Sequence, residues 1–254
     1  MNAAEPEFEA RLARDAEEVR AAQGLRYEVF VAELGGDGPM VDHDLRLERD
    51  RFDPYYDHLI LIDRARGGRV VGVYRLMPGD RAARGEGFYT AGEYDLSPLI
   101  ASGRRLLELG RSCLHSDYRG SAAMFHLWKA LADYVLENGI EVLFGVASFH
   151  GTDVEALAQP LSYLHHFHLA PRPLRVRARP EHFQRMNLLS PEEVDRKAAV
   201  AATPALIKAY LRLGGFVGEG AFVDREFNTT DVCLVMDTAQ MNARQRDFYS
   251  RPRP

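Results

Sequence analysis

Residues 106–131, LLELGRSCLHSDYRGSAAMFHLWKAL, carry the pattern that decides the fold. Leu106–Leu114 is an apolar run of strand length, and the polar residues 116–117 introduce a helix expected over about 120–137. The Asn-Gly pair at 138–139 is typical of a helix end. A strand followed at once by a turn and a helix predicts an α/β protein.

The chain on both sides of this unit extends the same layout. We expect strands at 8–12, 58–62, 70–76, 142–147, 174–179, 216–223 and 232–236, and helices at 15–31, 152–164 and 191–213. Gly67 and Gly68 predict a hairpin turn. This order predicts a mixed central sheet flanked by helices in one domain over 1–254. Its core is expected at about 8–170 and 214–238, with a C-terminal helical insertion at about 180–213.

Composition narrows the class of protein. A chain of 254 residues with 46% hydrophobic and 27% charged residues is typical of a globular domain. A net charge of -5 argues against nucleic-acid binding, which needs a basic face. The acidic N-terminus carries no signal pattern and no apolar stretch approaches about 20 residues, so we expect a cytoplasmic protein. Cys113 and Cys233 are expected to be buried free thiols.

Four short motifs share one order and spacing with a known family. They are Leu25-Arg26-x-x-Val29-Phe30, Glu48-x-Asp50-x-Phe52-Asp53, Val71-Gly72-x-x-Arg75-Leu76 and Leu107-Glu108-x-x-Arg111-Ser112. In these the chain resembles the acyl-homoserine-lactone synthases, a branch of the GNAT acyltransferase fold that takes acyl groups from acyl carrier protein.

The second half of the chain resembles a different branch. LSYLHH at 161–166, PALIKAYLRLG at 204–214 and FNTTDV at 227–232 are similar to the ornithine N-acyltransferases that make lyso-ornithine lipid. This resemblance implies transfer of a 3-hydroxyacyl group from acyl carrier protein to the α-amine of ornithine. It also implies a 4′-phosphopantetheine thioester as donor substrate and no bound cofactor. Glutamine and lysine remain open as acceptors.

The catalytic candidates are Glu108 and Arg111. Forming an amide from a thioester needs a proton acceptor for the amine. Glu108 stands in an otherwise apolar strand, where a carboxylate holds its proton more strongly unless it is paired, and Arg111 is close enough in the chain to pair with it. The resemblance also implies that this glutamate takes the amine proton, directly or through water. The alternative is a structural Glu-Arg pair.

The substrate-binding candidates are Arg26, Asp50, Asp53 and Arg75. Carboxylates suit the side-chain ammonium of a dibasic amino acid, and an arginine suits its carboxylate. The charged segment 42–57 is predicted to be a long loop, and long loops in compact domains are often functional. An ion-pair network that only fastens this loop is the alternative.

The donor is expected at the start of the helix after the deciding strand, where Arg119, Gly120, Ser121 and Ala122 occupy the phosphate-binding place of GNAT enzymes. Ala122 and Met124 depart from the glycines usual there, which argues against tight binding of a pyrophosphate and is compatible with the single phosphodiester of phosphopantetheine. Arginines alternate with apolar residues along 174–179 and predict a basic strand face for an acidic carrier protein or an anionic membrane surface. The residues of this face are Arg172, Arg175, Arg177, Arg179 and Arg185.

Several rival readings follow from the same residues. Cys113 and His115 form a candidate nucleophile pair. His165, His166 and His168 invite a metal reading, but they lack a recognised ligand spacing, so no metal is expected. A homoserine-lactone synthase that uses S-adenosylmethionine is the alternative enzyme. A non-catalytic module that docks a carrier protein or a membrane is the alternative of another class.

Overall fold

The computed structural model describes residues 5–240, which form two compact units. Within the described residues, the first unit contains 5–85 and 109–139, and the second contains 86–108 and 140–240. The single domain with a helical insertion stays a prediction.

The elements follow the expected α/β order. The strands are β1 (Phe8–Leu12), β2 (Asp57–Asp63), β3 (Arg69–Pro78), β4 (Tyr94–Asp95), β5 (Leu106–Leu114), β6 (Val142–His150), β7 (Arg177–Ala178), β8 (Phe183–Gln184), β9 (Phe216–Val217), β10 (Ala221–Asp224) and β11 (Thr229–Asp237). The helices are α1 (Ala16–Arg26), α2 (Gly79–Arg84), α3 (Ser97–Ala101), α4 (Ala123–Glu137), α5 (Ala158–His168), α6 (Arg196–Ala202) and α7 (Ala205–Arg212). The deciding strand lies where the apolar run predicted it.

In the first unit, β1, β2 and β3 form an antiparallel sheet, and β5 is the next strand after β3. The predicted hairpin turn between β2 and β3 is confirmed, because Gly67 and Gly68 adopt φ angles of 71° and 73°. Gly72 allows β5 to approach, since a Cβ there would lie 2.7 Å from a side-chain carbon of Leu114.

Helix α1 begins as the sequence predicts. The side chain of Asp15 accepts a hydrogen bond from the N–H of Glu18 at 2.9 Å, which caps the first turn. Beyond Arg26 the helix continues with π-helical winding over Tyr27–Glu33. Such π segments are rare and often occur at functional sites.

The second unit has a mixed sheet. The first residues of β5 pair in parallel with β6, with Leu106 opposite Val142. Strand β6 pairs antiparallel with β11 along nine residues, and β10 and β8 extend the sheet beyond β11. This mixture of parallel and antiparallel pairs, with helices flanking the sheet, confirms the predicted fold class.

The predicted basic strand over 174–179 is wrong in its length. Leu174, Val176 and Ala178 are buried as the alternation predicts, but only Arg177–Ala178 forms a strand, paired with β4. A proline in the turn Arg172–Leu174 and another directly after residue 179 keep the ladder short.

Two predicted helices also have different bounds. Helix α5 begins at Ala158 because Asp153 holds the preceding residues in a turn through the N–H groups of Glu155 and Ala156. The helix expected over 191–213 is divided into α6 and α7. Pro204 has no N–H to donate and forces the preceding residue into an extended conformation, which ends α6.

Cys113 and Cys233 are free and buried, as predicted. No helix within residues 5–240 is both long enough and apolar enough to cross a bilayer.

Candidate active site

Six charged side chains of the first unit form one network, which we call the ion-pair cluster. Its members are Arg26 at the end of α1, Glu48, Asp50 and Asp53 in the loop before β2, Arg75 in β3 and Arg111 in β5. Three positive charges alternate with three negative charges. The structure therefore brings together all four predicted substrate-binding residues and one of the two predicted catalytic residues.

The centre of the ion-pair cluster is Asp53, which bridges two arginines. Its Oδ1 accepts hydrogen bonds from Nη1 of Arg26 at 2.7 Å and from Nη1 of Arg75 at 2.6 Å. Arg75 Nη1 also donates to both carboxylate oxygens of Asp50 at 2.8 Å. The side chains of Arg26 and Arg75 are fully buried, so their charges depend on these carboxylates for compensation.

Glu48 completes the ion-pair cluster on the other side. It accepts hydrogen bonds from Arg26 Nε at 2.5 Å and from Arg111 Nε at 3.2 Å. Burial alone would raise the pKa of Glu48, but the charges of Arg111 and Arg26 outweigh burial and lower the pKa to about 2. In the same way, Arg26 and Arg75 overcome the effect of burial and lower the pKa of Asp53. Glu48 was present in the motif but was assigned no role from the sequence.

These pKa values predict an acid-dependent loss of stability. An unfolded glutamate takes up a proton near pH 4.5, whereas the folded Glu48 does so only near pH 2, so acid favours unfolding between these values. We expect Glu48 to contribute about 3 kcal/mol above pH 4.5 and to lose this contribution as the pH falls to 2. Urea unfolding of the wild type and of Glu48→Gln at several pH values measures this contribution to stability. The stability gap between the two should narrow with acid, and a constant gap would contradict the account.

The strand β5 is irregular where it reaches the ion-pair cluster. Gly110, Arg111 and Ser112 are partly exposed, whereas the strand is otherwise buried. Arg111 adopts a φ of 51°, which costs a non-glycine residue about 1–3 kcal/mol. Its guanidinium contacts Glu48 and Asp50 at 3.2 and 3.4 Å, and these ion pairs hold the strained residue in place.

Glu108 belongs to the second unit and is 1% exposed. Its two oxygens accept backbone N–H bonds, Oε1 from Thr90 at 2.6 Å and Oε2 from Tyr89 at 3.0 Å. These bonds hold the carboxylate in a fixed orientation. The segment that supplies the N–H groups could not be connected to Glu108 from the sequence.

The predicted donor loop lies on the surface of the first unit. Arg119 forms an ion pair with Glu33 at 2.5 Å, and Gly120 adopts a φ of 76°. The hydroxyl of Ser121 accepts the N–H of Ala123 at 3.1 Å and so supports the start of α4. Arg119, Gly120, Ser121 and Ala122 are all exposed.

The predicted basic face is only partly formed by free arginines. Arg172 and Arg185 are exposed. Arg177 is exposed but forms an ion pair with Glu219, and Arg179 donates to the carbonyl of Ala91 at 2.6 Å. Arg175 is not fully on the exposed side as expected, because it is partly buried and donates to the carbonyl of Ala170.

The structure weakens the nucleophile reading of Cys113. Burial raises the pKa of this thiol to about 12, so almost none is present as the reactive thiolate near neutral pH. Of the three histidines near the end of α5, His166 contacts the carbonyl of Leu189 at 2.8 Å. This contact gives His166 a structural role.

Comparisons with known proteins identify the fold. The family described as Acetyltransferase (GNAT) domain matches residues 25–129, a segment that contains the whole ion-pair cluster. The N-acyl amino acid synthase FeeM from uncultured soil microbes has a TM-score of 0.54 at 14% identity, covering 93% of each chain. The CoA-dependent acyl-homoserine lactone synthase BjaI has a TM-score of 0.52 at 16% identity, covering 95% of this chain and 86% of that one. The family match and the shared fold thus identify a GNAT-type domain.

Relatives at higher identity specify the family. The L-ornithine N(alpha)-acyltransferase of Rhodobacter capsulatus is 66% identical over 99% of this chain and 98% of its own length. The protein of the same name from Brucella abortus is 40% identical over 95% of this chain and 88% of its own length. The chain belongs to the L-ornithine N(alpha)-acyltransferase family.

Proposed function

We propose that this chain transfers a 3-hydroxyacyl group from the phosphopantetheine thioester of acyl carrier protein to the α-amine of L-ornithine, giving lyso-ornithine lipid. The observation that carries the acceptor assignment is the 66% identity, over nearly the full length, to a protein named L-ornithine N(alpha)-acyltransferase. The ion-pair cluster supports it, because a buried set of opposite charges suits a charged amino acid.

The reaction needs few groups from the protein. The neutral α-amine attacks the thioester carbonyl carbon, the new C–N bond forms, and the C–S bond breaks as the thiolate leaves. One amine proton must be removed, and it finally neutralises the thiolate. Glu108 is the proposed acceptor of this proton, directly or through water, since its carboxylate is held in place by Tyr89 and Thr90. Arg111 is the second proposed catalytic residue, because its guanidinium brings a positive charge to β5, the strand that also carries Glu108.

The donor is proposed to bind at the start of α4. The N-terminus of a helix attracts a phosphate through its N–H groups and its dipole. The departures from glycine at Ala122 and Met124 suit the single phosphodiester of phosphopantetheine. An acidic carrier protein would dock on the exposed arginines of the predicted basic face, and a peripheral contact with the inner membrane is the other proposed use of that face. A cytoplasmic location and the absence of a bound cofactor remain part of the proposal.

The backbone of Gly120 gives a test of the donor site. An alanine at φ 76° is strained by about 1–2 kcal/mol, while open space around the position excludes a clash. We expect Gly120→Ala to distort the loop and to raise the KM for acyl carrier protein about tenfold, with the KM for ornithine unchanged. Steady-state kinetics with each substrate varied in turn measures both values.

Gly103→Ala is the matched control, since Gly103 also has a left-handed backbone, with φ 65°, and open surroundings. It should lower stability by a similar amount and leave the donor KM unchanged. Equal effects of the two substitutions on the donor KM would contradict a donor site at Gly120.

The proposed function itself is tested by thiol release from 3-hydroxyacyl carrier protein. The purified chain is given ornithine, lysine, glutamine, S-adenosylmethionine or no acceptor, and the same acyl group is supplied in parallel on coenzyme A. We expect ornithine-dependent release with a strong preference for the carrier-protein donor. Release only with S-adenosylmethionine would instead indicate a homoserine-lactone synthase, and carrier binding without any release would indicate a docking module.

A further inference from the structure

Arg75 uses only part of its guanidinium within the ion-pair cluster. Its Nη1 donates to Asp50 and Asp53. Its Nε and Nη2 are buried, and among residues 5–240 neither has a hydrogen-bond partner. The side chain is fully buried. Asp50 and Asp53 in the loop thus accept hydrogen bonds from Nη1, whereas the edge formed by Nε and Nη2 has no acceptor in the described part of the protein.

An edge of this kind is unfavourable unless a ligand uses it. A buried polar donor without an acceptor costs about 1–3 kcal/mol, and more when the group is charged. Nε and Nη2 present two parallel N–H groups, which match the two oxygens of a carboxylate. Tyr56 fixes the plane of the guanidinium, because the Arg75 Cζ lies 4.3 Å from the centroid of its ring. The edge is thus preorganised for a bidentate anion.

Gly110 lies directly beside this edge. A Cβ on Gly110 would lie 3.8 Å from Nη2 and 3.9 Å from Nε of Arg75, and 3.9 Å from the hydroxyl oxygen of Tyr56. These are ordinary contacts, so an alanine would fit without a clash and would occupy the space next to the two donors. Gly110 is partly exposed, whereas Leu109 before it is buried. Because it has no side chain, Gly110 leaves the space between this buried edge and the partly exposed part of β5 unfilled.

We infer that the Nε–Nη2 edge of Arg75 binds the α-carboxylate of the acceptor amino acid, and that Gly110, which has no side chain, is the residue that leaves room for this carboxylate beside the edge. The inference rests on the proposed function for the identity of the acceptor. It makes the free carboxylate a requirement for the acceptor. A diamine without a carboxylate, or an amino acid amide, leaves the two buried donors unpaired and is rejected.

The test compares L-ornithine with 1,4-diaminobutane and L-ornithinamide as acceptors. For the wild type we expect kcat/KM to fall by more than 100-fold when the carboxylate is removed or neutralised. Gly110→Ala should lower kcat/KM for ornithine by about 10–100-fold, mainly through KM, and leave the weak reaction with 1,4-diaminobutane nearly unchanged. Arg75→Lys keeps a positive charge next to Asp50 and Asp53 but lacks the two-pronged edge, and should show the same selective loss.

Gly24→Ala is the matched control. Gly24 lies in α1 with nothing near an added Cβ and an ordinary backbone conformation, so this substitution should change neither kinetic constant. A second readout does not depend on turnover. L-Ornithine should raise the Tm of the wild type, and it should raise the Tm of Gly110→Ala much less.

Three results would overturn the inference. The wild type could use ornithine and 1,4-diaminobutane equally well, Gly110→Ala could lower both activities by the same factor, or the substitution could raise only the KM of the acyl donor. A wild type that acylates no amino acid refutes the proposed function instead. In that case the Tm comparison still decides whether Arg75 and Gly110 bind an amino acid carboxylate.

Discussion

Glu108→Gln is expected to lower the rate of acyl transfer by about 10²–10⁴-fold, the range lost when a positioned general base is removed. Glutamine has nearly the same size as glutamate and can still accept one of the backbone N–H bonds from Tyr89 and Thr90. It cannot take up the amine proton. Single-turnover kinetics with saturating donor and ornithine measures the chemical step, and binding of the acyl carrier protein should change little.

Asp63→Asn is the matched control for this substitution. Asp63 is also a fully buried carboxylate that accepts backbone N–H bonds, from Glu7 and Ala65, together with the hydroxyl of Tyr118. Its substitution should lower the Tm without a large change in rate. A Glu108→Gln enzyme with an unchanged rate, or with equal losses in rate and donor binding, would refute the role of Glu108 as base.

Asp53→Asn is expected to cause the largest loss of stability, about 3–5 kcal/mol of unfolding free energy. The carboxylate contacts Arg26 and Arg75, and both guanidinium groups are fully buried. An asparagine removes the negative charge between them and leaves two buried cations undercompensated. Urea unfolding at neutral pH measures the loss, and the variant should also bind ornithine weakly.

Asp42→Asn provides a comparison in the same loop. Asp42 pairs with Arg49, whose side chain is 42% exposed, so solvent screens this ion pair. Its loss should cost about 0–1 kcal/mol. If Asp53→Asn were as mild as Asp42→Asn, the ion-pair cluster would be neither a stabilising network nor a preorganised site.

Much of the fold follows from local patterns. The apolar run of β5 and the glycines of the β2–β3 turn define their elements because strand and turn preferences act over few residues. The short helices α2 and α3 were not predicted, since five or six residues carry too little periodicity. The alternation of arginines and apolar residues predicts too long a basic strand, because it takes no account of the flanking prolines that end the strand.

The candidate site, like the fold, is only partly predictable from the sequence. The spacing of the motifs predicted that Arg26, Asp50, Asp53 and Arg75 belong together, and their contacts confirm this grouping. Arg111 was expected beside Glu108, yet its guanidinium is bound by Glu48 and Asp50 from a loop about 60 residues earlier. The left-handed backbone of Arg111 could not be predicted either, because arginine seldom adopts a positive φ and no local sequence pattern indicates it.

The most direct test of the central claim is the identity of the product. The purified chain is incubated with 3-hydroxyacyl carrier protein and L-ornithine, and the product is analysed by tandem mass spectrometry, which locates the acyl group on the α- or δ-nitrogen. The account predicts an ornithine carrying one 3-hydroxyacyl group on the α-nitrogen, formed in proportion to the thiol released. Acylation at the δ-nitrogen, or release of free 3-hydroxy fatty acid without any acyl-ornithine, would contradict it.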